Sequence, residues 1–216
     1  MSVVIVDYGS GNLRSAHKAF VRAAEDAGDT TAIVVSADPK RVARADRIVL
    51  PGVGAFADCM GGLTSAPGMI EAFNSAVMER GVPMLGVCVG MQLFADQGLE
   101  HKVSDGLGWI PGEVRHLTPN DPSLKIPHMG WNTLEEVRPH PVMEGIPTGP
   151  DGWHAYFVHS YAFAPNSAES IVALSDHGGP FAAIVGRDNI IGTQFHPEKS
   201  QKLGLKLIQN FLAWSP

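Results

Sequence analysis

Apolar residues follow two rhythms along this chain, and the change comes near Gln97. Before it, short β-branched runs alternate with stretches in which apolar side chains recur every three or four positions. VVIV (Val3–Val6), AIVV (Ala32–Val35), RIVL (Arg47–Leu50) and PMLGV (Pro83–Val87) lack polar alternation and read as strands buried on both faces. Between the first two, Leu13, Ala16, Phe20, Val21 and Ala24 keep one helix face apolar, and Gly28 stops it. A later helix is expected from about Gly68 to Arg80, with Met69, Phe73, Ala76 and Val77 inward and Gly81 at its end. Such strand–helix alternation favours a parallel sheet with right-handed crossovers.

After Gln97 turn residues become frequent, and the strand-like pieces WHAYFVHSYAF, SIVALS, FAAIVG and IIGTQF follow one another closely. GRDN (Gly186–Asn189) reads as a hairpin turn, which gives an antiparallel section. From Ser200 the pattern is helical again, with Leu203, Leu207, Phe211 and Trp214 on one face. No repeat, low-complexity tract or linker interrupts the chain. The expectation is one α/β domain over residues 1–216. It has a mostly parallel central sheet flanked by helices and an additional antiparallel section in the C-terminal half. A chain of this length buries roughly 70% of its unfolded surface.

Charge and cysteine usage narrow the function classes. A net charge of −6, with no Lys/Arg cluster, argues against nucleic-acid binding. Cys59 and Cys88 make no disulfide framework. The apolar start SVVIV meets Asp7 before it becomes a signal-peptide core, and Val82–Ala95 falls short of the ~18 apolar residues of a membrane helix. A reducing, cytoplasmic setting with free thiols is expected.

In parallel α/β sheets ligands bind at the carboxyl ends of strands. Three motifs fall at such ends: DYGSGN, PGVG and GVCVG. The last is the thiol form of a nucleophile elbow, in which a sharp strand-to-helix turn holds Cys88 in a strained conformation above the sheet. Gly86 and Gly90 give that turn room. A helix starting near Val89 would aim its free N–H groups at the sulfur, favouring thiolate and stabilising an oxyanion. Cys59, in ADCMGG, reads instead as a buried structural thiol.

GTQFHPEKS supplies the base. Pro197 biases His196 toward an extended conformation, and in an extended strand His196 and Glu198 share a face. A carboxylate beside an imidazole fixes its tautomer and stabilises its cation. The alternative is an inert surface pair. A zinc site lacks both a CxxC pair and suitable histidine spacing, so no metal is expected. DYGSGN has no G-x-G-x-x-G spacing and reads as a turn rather than a phosphate cradle.

GVCVGMQ, GTQFHPEKS and PGVG together resemble the nucleophile elbow, the His–Pro–Glu segment and the oxyanion strand of the triad-type (class I) glutamine amidotransferases. DYGSGNLRS, KIPHMGWN and YFVHSY look like the branch of that family serving imidazole glycerol phosphate synthase. The resemblance runs from Asp7 to the last helix. It implies a flavodoxin-like fold, no cofactor, and a Cys88–His196–Glu198 triad that hydrolyses L-glutamine through a thioester. The backbone N–H groups of Val53 and Val89 would form the oxyanion hole; Gly52, Gly54, Gln92, Ser160 and Tyr161 would bind glutamine. Asn12, His128, Met129, Trp131 and Lys199 would face a partner near the ammonia exit. That partner is a (β/α)8-barrel cyclase, expected as a separate polypeptide because 216 residues leave no room for a barrel of ~250. The rival readings are a glutaminase serving another synthase, a free-standing thiol hydrolase and a non-catalytic scaffold.

Overall fold

Four apolar runs of the first half build the centre of the sheet. In the computed structural model, which describes residues 1–216, β1 (Ser2–Val6) pairs in parallel with β2 (Ala32–Ser36) and β3 (Arg47–Gly52). β4 (Met84–Cys88) adds in parallel to β3. Helix α1 (Leu13–Asp26) and the short α2 (Pro39–Ala43) make the first crossovers, and α3 (Phe56–Ser65) with α4 (Met69–Phe73) makes the third. Asn12 caps α1 by accepting the Ser15 N–H.

Two expectations change here. β2 is the sheet edge and Val35 is exposed, so this run is not buried on both faces. The helix expected from Gly68 to Arg80 is α-helical only to Phe73; Asn74–Glu79 widens into a π turn, with Arg80 N bonded to Ser75 O. Met69, Phe73, Ala76 and Val77 are nonetheless the buried positions.

Beyond Cys88, α5 (Val89–Gln92) is a single turn, followed by the two-residue strands β5 (Gln97–Gly98) and β6 (Ser104–Asp105), then β7 (Gly112–His116), β8 (His128–Thr133) and β9 (Glu135–Glu136). The run WHAYFVHSYAF is not one strand. It breaks at Ser160 into β10 (His154–His159), paired with β8, and β11 (Tyr161–Pro165), paired with β7 in another sheet. β12 (Ile171–Asp176), β13 (Pro180–Arg187) and β14 (Ile190–Thr193) return to the main sheet, whose order is β2-β1-β3-β4-β14-β13-β12-β9. Asp188 and Asn189 turn the β13–β14 hairpin, with Asp188 at a φ of 50°. The last helix, α6 (Gln201–Ala213), ends before Trp214, which is buried all the same.

β14 decides the site. It is antiparallel to β13 but parallel to β4, with Thr193 opposite Val87. The chain leaving β14 therefore rises at the same sheet end as the chain leaving β4. His196 and Cys88, far apart in sequence, emerge side by side. Phe157 packs edge-on against Phe181 and Phe195, at 5.5 and 5.6 Å, and so ties β10 and β13 to the segment that carries His196.

Candidate active site

Cys88 has φ 55° and ψ −112°, a conformation side chains rarely adopt, so the expected strained elbow is present. Close backbone approach makes it possible. A side chain at Gly90 would run into the Leu50 carbonyl, and a Cβ on Gly52 would lie 2.5 Å from the Gly90 nitrogen. Gly52, expected to bind substrate, packs β3 against α5 and is not among the residues that line the cavity at Cys88. With α5 only one turn long, the expected helix dipole is small; what remains is the Val89 N–H, which as the first helical donor has no intrahelical acceptor.

His196 is buried, and its Nδ1 lies 2.8 Å from Glu198 Oε1, whose side chain is equally buried. The pairing is as expected but the geometry is not: His196 is extended, while Pro197–Lys199 forms a 3-10 turn that swings Glu198 back. Burial pulls the His196 pKa down, but hydrogen bonds to Cys88 and Glu198, and the charges of both, outweigh it and leave the ring raised to about 9. The site therefore holds a cationic imidazole between a sulfur and a carboxylate.

Cys88 opens into a cavity of about 320 Å³. Of the residues assigned to glutamine, Gly54, Gln92, Ser160 and Tyr161 line it, with His196 and Val89 also in its wall. Ser160 reaches it because the strand breaks there. Glu100 and His159 are also in the wall; Glu100 carried no site signal in the sequence, and His159 lies within YFVHSY but had no role assigned to it.

The Val53 N–H, expected as the second oxyanion donor, is engaged elsewhere. Val53 N–H donates to Ser10 Oγ at 3.1 Å, and Ser10 Oγ in turn donates to Val53 O at 2.8 Å. The buried Cys59 thiol sits 3.2 Å from Ser10 Oγ and 3.3 Å from Val53 O, and burial raises its pKa, as fits a structural thiol. A backbone amide has one hydrogen, so Val53 would have to leave Ser10 to serve an oxyanion. DYGSGN reaches the site in this way, as a turn that contacts PGVG.

Of the residues expected to face a partner, Asn12 and Lys199 are exposed, and Met129 and Trp131 are 63% and 46% exposed. His128 is the correction. Alternation along β8 turns Met129 and Trp131 outward and His128 inward, where it is 5% exposed and its Nδ1 lies 3.1 Å from His159 Nε2. Trp131 packs on its cross-strand neighbour Tyr156, and the Lys199 ammonium lies 5.5 Å from the centre of that ring. No group of three or more His, Cys, Asp or Glu is arranged to hold a metal, and no helix is long and apolar enough to cross a membrane.

A strained thiol beside an imidazole that a carboxylate backs, both opening into one small cavity, is the arrangement of a thiol nucleophile with its base. Residues 4–214 match the family described as glutamine amidotransferase class-I, and the chain belongs to that family. Within it, the chain is 59% identical to the imidazole glycerol phosphate synthase subunit HisH of Brucella abortus and 61% identical to that of Rhizobium meliloti, each match covering 100% of both chains. Among solved structures, a glutamine amidotransferase superimposes with a TM-score of 0.69 at 18% identity, covering 97% of each chain. A glutamine amidotransferase from Methylobacillus flagellatus gives 0.56 at 18% identity over 94% of this chain and 72% of that one. At such identities these two bear on the fold alone.

Proposed function

We propose that this chain is the glutaminase subunit of an imidazole glycerol phosphate synthase, releasing ammonia from L-glutamine for a separate cyclase in histidine biosynthesis. The observation that carries the reading is the full-length similarity to HisH subunits, joined to a cavity lined by Cys88 and His196, with Glu198 bonded to the far side of the imidazole.

Cys88 thiolate attacks the carboxamide carbon; the carbonyl electron pair moves to oxygen, which Val89 N–H and a released Val53 N–H receive. His196, protonated because Cys88 and Glu198 hold its pKa up, gives its proton to the departing ammonia. Acylation removes the thiolate charge that supported the imidazolium. The ring is then free to take a proton from water, whose attack breaks the thioester and returns the electron pair to sulfur. Glu198 keeps the ring aligned throughout. Gly54, Gln92, Ser160 and Tyr161 hold the amino-acid end of the substrate.

Ammonia in bulk water would be protonated and lose its nucleophilicity, which favours a covered exit. The exposed Met129–Trp131 edge, with Lys199 beside the Tyr156 ring on which Trp131 packs, and the exposed Asn12 are the surface proposed to meet a (β/α)8-barrel cyclase, and the cytoplasm is the proposed compartment. The test is glutamate release with and without the cyclase subunit of a relative and its nucleotide ligand. Marked stimulation is expected. Absence of stimulation, with glutamine hydrolysis intact, would assign the chain to another synthase.

A further inference from the structure

Gln194 is wholly buried, two residues before His196, and its side-chain nitrogen lies 3.6 Å from Cys88 Sγ. Nothing in the mechanism above uses it. Whether the amide presents N–H or C=O to the sulfur follows from its neighbours. The Tyr161 carbonyl can only accept, so Gln92, 3.0 Å away, must turn its NH2 toward it. The same NH2 lies 3.0 Å from the near atom of the Gln194 amide, which must therefore be the oxygen. The far atom, facing Cys88, is then the nitrogen. Reversing Gln194 would set two NH2 groups against each other and aim an oxygen lone pair at the sulfur.

The anchor of this relay is itself held. His159 Nδ1 lies 2.9 Å from the Tyr161 carbonyl and must carry its hydrogen. Burial keeps His159 neutral, with its pKa lowered to about 3, so its Nε2 accepts from His128 Nδ1. His128 is likewise neutral, lowered by burial to about 4.

We infer that Gln194 is a further catalytic residue: its side-chain amide, held in the donating orientation by Gln92, gives a hydrogen bond to the Cys88 sulfur that favours thiolate over thiol. The bond is charge-assisted when sulfur carries the negative charge and weak when it is acylated. Gln194 therefore acts on the free enzyme, and again as the thioester breaks and the electron pair returns to sulfur. This rests on Cys88 being the nucleophile, and it deepens that reading.

The test is the pH profile of Cys88 alkylation by iodoacetamide in the full chain, with the adduct located by mass spectrometry. Gln194→Leu removes the donor at similar volume. Gln194→Glu keeps the bond from Gln92 but turns a carboxylate oxygen toward the sulfur. The profile midpoint is expected to rise by about one to two pH units in Gln194→Leu and further in Gln194→Glu. Coincidence of the Leu variant with the wild type, or equal shifts in the two variants, would overturn the inference in favour of mere packing. The unaltered protein gives a reading that needs no variant to fold. The Gln194 side-chain amide signal, followed by 15N NMR, should move when Cys88 is alkylated, and a stationary signal rejects the bond. Labelling of Cys88 by an electrophilic glutamine analogue tests the underlying nucleophile role separately.

Discussion

Two buried histidine sites lie within this small region and have opposite protonation. His196 stands between Cys88 and Glu198 and is raised to about 9. His128 and His159 stand against each other, a backbone carbonyl and aromatic rings, and are lowered to about 4 and about 3. Burial lowers the pKa in all three. Only His196 has anions in contact, and they reverse the outcome. The same residue type therefore serves as a proton donor in one place and as a fixed, uncharged hydrogen-bond link in the other, according to whether a negative partner is present.

Removing the anions tests this contrast most severely. Cys88→Ala should drop glutamine hydrolysis by about 10⁴-fold or more, to background, and should lower the His196 pKa in an NMR titration. An unmoved His196 titration would break the comparison, because sulfur would then contribute nothing to the imidazolium. Glu198→Gln should lower kcat by about 10²-fold or more, as expected when an orienting carboxylate becomes an amide, with KM little changed.

Stability against pH separates the two sites by sign. The folded pKa of His196 lies above the ordinary 6.5, so its contribution is complete below 6.5 and is lost as pH rises through about 9. The folded pKa of His159 lies below 6.5, so its contribution is present above 6.5 and is lost as pH falls toward about 3. In urea titrations, the gap between wild type and His196→Asn should narrow from pH 6.5 to 9. Relative to His159→Gln, the wild type should lose about 1.4 kcal/mol per pH unit between 6 and 4. Slopes of the same sign would refute the assignment of charge to the two sites.

The smallest effect concerns the donor held by Ser10. Ser10→Ala frees the Val53 N–H at the cost of the two neutral hydrogen bonds that the hydroxyl makes with Val53, each of about 1 kcal/mol. Unstimulated glutamate release should rise about fivefold. No rise would mean that Val53 is held away from the oxyanion by the strand itself.

The first half was legible because its elements are local. Continuous β-branched runs and a 3.6-residue apolar period mark β1, β3, β4 and α1, and the glycines around Cys88 announce a tight turn by their spacing alone. The second half was harder. WHAYFVHSYAF carries no local mark of the break at Ser160, because only pairing with two different partners, β8 and β7, divides it. Core and partner-facing placements were both open for His128, Met129 and Trp131, with the family resemblance favouring the second, and only strand alternation put His128 inside and the other two outside. Gln194 had a readable signal, since an extended chain sets it on the same side as His196, but no spacing rule could tell which atom of its amide meets the sulfur.

What the sequence determined by itself was the chemistry available: a thiol in a strained elbow, and an imidazole with a carboxylate two residues on. These depend on local sterics and short spacing, which one stretch of chain contains entirely. Tertiary structure alone decided that β14 lies parallel to β4, which brings the sulfur to the imidazole, that Ser10 holds the Val53 amide, and that each buried histidine is charged or neutral. Pairing, hydrogen-bond competition and desolvation all depend on groups distant in the chain, and no single segment encodes them.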